Sequence, residues 1–386
     1  MKTTRLIDTI AAGMAIFAMY FGAGNIIFPL AIGQIALDKT SFALVGFLIA
    51  AVILPFAGLL TMFLFQGHIA TFFSRIGKIP GLLLASFCIS LLGPLGCSPR
   101  CIVLSHSTLS LSFPGIPLIL FSLICSLAIF LFVYKPGKLL SLIGYVLSPF
   151  KILLLVGVIL VGIIGAPDIA PLLTSHSGSF LVFHGLVEGY NTLDLIGSFF
   201  FAPIILVSLL GKEGHQELGS EQNAALKKFI FKACGIAAVL LSTVYVGFCY
   251  LAYLYAPQLV GVPSDQLLGA IAIQVLGSYG GIIVSLTVTV ACLTTAIALT
   301  AAFASFVQKE IFLEKVGYIP VALGSVFLTF LMTILGFEGI MAFLVPVLKF
   351  CYPVLIALTF YNLVVYFLEK RSAQKRASSL RREVNV

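Results

Sequence analysis

The sequence predicts an all-α integral membrane protein with about ten transmembrane helices, arranged as two five-helix halves of opposite orientation. Three observations predict it. Of 386 residues, 60% are hydrophobic and 9% are charged, against about half and about a quarter in soluble domains. No soluble globule can cover that much apolar surface, which excludes a soluble enzyme, a nucleic-acid reader and a disordered regulator. The apolar runs are also unbroken, as at 152–164 and 239–254. Barrel strands would alternate apolar and polar residues over about ten positions, so these runs are helices. Finally, Lys and Arg fall in every second connection.

A span takes about 20 residues. Spans are predicted at 8–35, 41–65, 80–106, 117–134, 139–164, 191–211, 229–255, 279–307, 318–336 and 339–368. The first half covers 1–164 and the second 191–368. An external loop is read at 165–190 and a basic tail at 369–386. One side of the membrane receives Lys2, Arg5, Arg75, Lys78, Lys135, Lys138, Lys212, Lys227, Lys228, Lys232, Lys309, Lys315, Lys370, Arg371, Lys375, Arg376, Arg381 and Arg382. The other side receives Lys39. Basic residues stay on the cytoplasmic side, so both termini are expected there. The net charge of +8 then reflects topology and contact with anionic lipid, and no nucleic-acid partner is needed. The first run is too long for a cleaved signal peptide.

An odd-numbered repeat must return upside down, and inverted repeats are a common transporter architecture. Their sites form where the first helix of each half is interrupted. Span 1 carries Gly22-Ala23-Gly24-Asn25 and then Pro29; span 6 carries Gly197-Ser198-Phe199-Phe200-Phe201 and then Pro203. Glycines weaken a helix and bare its backbone groups. Bared carbonyls can meet a cation and bared amides a carboxylate. The competing explanation is close packing through small residues.

Span 8 carries Ala291, Thr294 and Thr295. The two hydroxyls can ligate a hard cation such as Na⁺, or can bond back to their own helix. Asn191 followed by Asp194 reads as a helix start, with Asn191 as the cap. Glu188 is placed at the outer surface, where it could attract cations. Arg100, Lys151 and Lys349 lie inside spans, and a charge at depth defaults to a functional reading; the alternative for Arg100 is a structural ion pair or a clamp on carbonyls. A buried lysine can carry a proton. The eight cysteines have no metal or redox spacing and read as packing residues. No HExxH or phosphate-binding loop is present, so no metal site, cofactor or ATP-driven step is expected.

Four segments resemble the bacterial branched-chain amino acid:cation symporters, the BrnQ-type carriers within the LeuT-like superfamily. They are GMAIFAMYFGAGNIIFPLAIG at 13–33, LGPLGCSPR at 92–100, LVEGYNTLD at 186–194 and ACLTTAIAL at 291–299. The resemblance implies uptake of leucine, isoleucine and valine by symport, not enzymatic chemistry. It also implies a LeuT-like core of five plus five helices, with helices 1 and 6 broken. Residue by residue, it implies that Tyr20, Phe21, Gly22, Ala23, Gly24 and Asn25 meet the amino acid. Gly197, Ser198, Phe199 and Phe200 would complete the pocket. Carbonyls of Ala18 and Phe21 would share Na⁺ with Ala291, Thr294 and Thr295. Carriers of this family run to about twelve helices, and ten are read here. Lys151 departs from the family pattern. In some LeuT-like carriers a lysine on the fifth helix replaces the sodium ion, so H⁺ stands as the alternative coupling ion.

Overall fold

The computed structural model describes residues 6–134, 152–167, 172–216 and 224–384. Lys151, the candidate proton site, lies outside the described residues, as do Lys135 and Lys138. Among the described residues there is no strand.

Span 1 is two helices, α1 (Leu6–Tyr20) and α2 (Gly24–Ala36), parted at Phe21-Gly22-Ala23. Span 2 runs from α3 (Thr40–Leu48) through a π turn (Ile49–Ile53) into α4 (Leu54–Leu64). Pro55 causes that turn: it has no N–H for the Ala51 carbonyl, and the hydrogen-bond ladder widens to absorb the gap. A short helix, α5 (Ile69–Phe73), leads to span 3. Span 3 is also divided, into α6 (Lys78–Leu92) and α7 (Cys97–Ser110), around Gly93-Pro94-Leu95-Gly96. Then come α8 (Leu118–Tyr134) and α9 (Ile152–Ile164).

The second half begins with a difference from the sequence reading. Residues 165–190 are not wholly loop, because α10 (Gly178–Asn191) occupies their second part. Span 6 is α10 followed by α11 (Asp194–Gln216), and its break lies at Thr192-Leu193. The Gly197–Phe201 segment is continuous helix. Next are α12 (Ala224–Leu254) and α13 (Leu267–Phe306), the latter bent at Gly277, whose φ is +71°. The chain closes with α14 (Tyr318–Thr333) and α15 (Gly336–Val384). The expected tail from 369 continues α15 as helix to Val384. Grouped this way, the described helices make ten spans, and six helical stretches are individually long and apolar enough to cross a membrane.

The packing has a reciprocal form. Both pieces of span 1, α1 and α2, lie along α12, the second span of the other half. Both pieces of span 6 lie along span 2, α10 on α3 and α11 on α4. Span 3 lies along span 8 through α7 and α13. Glycine sets the distance in the two crossings. A Cβ at Gly33 of α2 would stand 2.1 Å from the Cys249 carbonyl oxygen of α12. A Cβ at Gly46 of α3 would stand 1.9 Å from the Val182 carbonyl oxygen of α10. Neither helix pair can approach this closely with any larger residue. The outer surface suits lipid: Leu153, Ile164, Tyr279 and Phe350 stand largely exposed, which a bilayer solvates and water does not.

Candidate functional site

The two breaks meet at the centre of the bundle. In an unbroken helix the Gly22 N–H would bond to the Ala18 carbonyl. Here it donates to Asn25 Oδ1 at 2.9 Å, leaving the Ala18 carbonyl without its donor four residues on. The Asn25 amide group spans the gap to span 6, donating to Asp194 Oδ2 at 2.7 Å. It also reaches the Tyr245 hydroxyl of α12. Tyr245 in turn donates to the same Asp194 oxygen at 3.3 Å. Asn25, Asp194 and Tyr245 are all buried. A buried carboxylate is tolerated only with such donors, so Asn25 and Tyr245 hold Asp194 in place.

Span 6 breaks by different means. Leu193 sits at φ +65°, a left-handed conformation that costs a branched residue about 1–3 kcal/mol. Thr192 stabilises the turn: its hydroxyl donates to the Gly189 carbonyl at 2.8 Å and accepts from the Asp194 N–H at 3.4 Å. Thr192 therefore caps α11, not Asn191 as the spacing predicts. The Asn191 side chain instead donates to Glu188 Oε2 at 3.0 Å. Glu188 lies one turn before the break, its side chain 19% exposed. The breaks touch directly: a Cβ on Gly24 would stand 3.1 Å from Thr192 Cα.

Tyr20 closes α1 and donates to Ser198 Oγ at 2.8 Å. Ser198 Oγ lies 2.7 Å from the Pro55 carbonyl oxygen and 2.9 Å from that of Asp194, tying α11 to α4. The Tyr20 ring stacks on Phe56 at 5.4 Å and meets the edge of Phe201 at 5.8 Å. Phe201 thus faces the break. Phe199 and Phe200 do not. Phe199 packs on Phe72 and Phe73 of α5 at 4.9 and 5.5 Å, and Phe200 packs on Phe73 and Phe306. The reason is helical phase: with the break at Thr192-Leu193, these two positions turn toward α5. Gly197 lies one turn into α11, its N–H bonded to the Leu193 carbonyl at 2.8 Å.

Span 8 brings its threonines beside the first break. A Cβ on Gly22 would stand 3.7 Å from the Thr295 methyl. Both hydroxyls donate to the Ala291 carbonyl, Thr294 at 2.8 Å and Thr295 at 3.0 Å. Each oxygen keeps lone pairs for another partner. Ala18, Gly22, Thr294 and Thr295 are half-buried, whereas Ala23 and Asn25 are buried. Phe21 is buried, its ring stacked on Phe17 at 5.2 Å. Tyr245 is a third member of the Asn25–Asp194 joint that its sequence context does not reveal. It is one of 13 tyrosines, and nothing in its local sequence distinguishes it.

The family model described as Branched-chain amino acid transport protein matches residues 5–381. The chain is 32% identical over 365 residues to the branched-chain amino acid permease BrnQ of Bacillus subtilis, covering 91% of this chain and 80% of that protein. It is 30% identical over 371 residues to the branched-chain amino acid transport system 2 carrier protein of Pseudomonas aeruginosa, covering 92% and 81%. Among solved structures, it is similar to the inward facing conformation of Mhp1, with a TM-score of 0.65 at 14% identity. That likeness covers 94% of this chain and 77% of the other, and the shared architecture is the LeuT-like fold.

Proposed function

The chain belongs to the branched-chain amino acid transport protein family, and from that premise we propose that it imports leucine, isoleucine and valine together with Na⁺, by alternating access. The observation that carries this reading is the joint between the two breaks, where Asn25 reaches Asp194 and Gly24 lies against Thr192. Two interrupted helices that meet at mid-depth place backbone dipoles where a zwitterion can use them. The rings of Tyr20, Phe56 and Phe201 offer an apolar wall for a branched side chain.

The cation would lie between the freed Ala18 carbonyl and the Thr294 and Thr295 hydroxyls, with the carbonyls of Phe21 and Ala291 beside them. All of these are oxygen donors, as a hard cation requires. Na⁺ bridging span 1 to span 8 would favour the state that accepts substrate, and that coupling needs a difference in affinity between states. The Tyr20–Ser198 bond joins α1 to α11, so the inner pieces of both broken helices would move together. Both termini face the cytoplasm in this reading, as the basic connections require.

The test is uptake of labelled leucine into proteoliposomes, with Na⁺ and pH gradients imposed separately. Uptake that follows the Na⁺ gradient supports the span 1–span 8 site. Uptake that follows the pH gradient alone replaces Na⁺ with H⁺. No leucine uptake by folded protein under either gradient rejects the substrate.

A further inference from the structure

Arg100 of α7 is fully buried. Its Nη1 donates to the Asn191 carbonyl at 2.6 Å, at the C-terminal end of α10, where the helix dipole favours a cation. The Phe28 ring of α2 covers the guanidinium, 5.5 Å from its carbon to the ring centre. The Cys97 thiol lies beside it, and a neutral thiol is a weak acceptor. Nε and Nη2 have no acceptor among the described residues. No described carboxylate forms an ion pair with Arg100. Glu188 is engaged by Asn191, and Asp194 by Asn25 and Tyr245.

An arginine stays charged in a protein, and a buried charge without a counter-ion is strongly unfavourable. The unused atoms form a pattern. Nε and Nη2 share one edge of the guanidinium, and their N–H bonds run parallel. That edge is the fork that receives both oxygens of a carboxylate; protein closes it off in this structure, so a carboxylate reaches it only when the surrounding helices part. It sits at the C-terminal end of α10, beside the span 6 break. The buried Tyr352 lies within electrostatic reach of both Arg100 and Asp194.

We propose that Arg100 receives the carboxylate of the transported amino acid through its Nε and Nη2 edge, so that the missing counter-ion of this buried cation is the cargo itself. The inference rests on the reading above that the cargo is an amino acid. It makes Arg100 a substrate-binding and specificity-determining residue that selects α-amino acids over amines of the same shape. The carboxylate then does not depend on backbone amides alone, of which Gly22 N–H is already taken by Asn25.

The experiment uses the full chain in nanodiscs, with L-leucine and L-leucinamide as probes. Leucinamide keeps the ammonium and the side chain but lacks the carboxylate. Wild-type protein should prefer leucine by at least about 30-fold. Arg100→Gln should weaken leucine alone and bring that preference to within about threefold, and Arg100→Lys should restore part of it, since an ammonium has charge but no fork. A purely structural arginine would weaken both probes together. Should Arg100→Gln fail to fold, the wild-type ¹⁵N spectrum decides. Saturating leucine should shift the slowly exchanging Arg100 Nε–H resonance, assigned through Arg100→Lys, and leucinamide should leave it in place. Retained preference in Arg100→Gln, or a resonance that saturating leucine does not move, overturns the proposal. Wild-type protein that binds neither probe fails the amino-acid reading itself, a result distinct from leucine binding that ignores Arg100.

Discussion

The two helix breaks occupy equivalent places in the two halves and are built differently. Span 1 opens at Phe21-Gly22-Ala23 without any left-handed residue: none of the three has a φ in that region. Asn25 opens it by taking the Gly22 N–H away from the helix. Of the two glycines there, Gly24 serves distance, allowing the approach of Thr192. Span 6 opens on a left-handed leucine, Leu193 at φ +65°, with Thr192 capping the helix that follows. One break is a competition for a hydrogen bond, and the other is a strained turn held by burial and a cap. Pseudo-symmetry therefore constrains where a break falls and leaves open the chemistry that makes it.

Removing the joint tests whether the breaks act as one unit. Asp194→Ala would leave Asn25 and Tyr245 buried without their acceptor, and each unsatisfied group costs about 1–3 kcal/mol. We expect leucine uptake in proteoliposomes to fall at least about 100-fold, with a lowered melting temperature. Uptake within about twofold of wild type would show that the breaks work independently.

The next largest effect concerns the cation. Thr294→Ala with Thr295→Ala should raise the Na⁺ concentration needed for half-maximal uptake by more than about tenfold, since two oxygen ligands are lost. Folding should change by less than about 1 kcal/mol, because both hydroxyls bond only within their own helix. An unaltered Na⁺ titration removes these threonines from the site.

The two glycines of the first break should then separate. Gly24→Ala drives a methyl to 3.1 Å from the Thr192 backbone and should cost about 1–3 kcal/mol of thermal stability. Tyr245→Phe removes one donor from Asp194 and should cost about 0.5–1.5 kcal/mol. Gly22→Ala meets only ordinary contacts at 3.7 Å and should cost less than about 1 kcal/mol. Equal losses at Gly22 and Gly24 would mean that both glycines serve flexibility, not distance.

The first break is legible because two glycines one residue apart are followed at once by asparagine, a polar residue that stands out against an apolar run. The second was misplaced by about one turn. Gly197 and Pro203 drew attention as helix breakers, yet α11 runs through both. The actual turn falls on a leucine, a residue that marks no turn in any sequence. With the break one turn earlier, Phe199 and Phe200, expected as pocket residues, pack instead on Phe72, Phe73 and Phe306. Helix α10, 14 residues long and carrying His184 and Glu188, falls short of the roughly 20 apolar residues that mark a span. It crosses only part of the bilayer before the break.

The sequence by itself determined the solvent, the number of spans, the two halves and the place of the first break. Those follow from local quantities: apolar length, the periodicity of charge, and the residue types that interrupt a helix. Only the tertiary structure decided that Asn25, Asp194 and Tyr245 share one joint, that Thr295 lies beside Gly22, and that one edge of Arg100 is unused. These depend on which faces of distant helices meet. Asn25 and Asp194 are 169 positions apart, and helical phase, packing and the exact residue at which a helix stops bring them together.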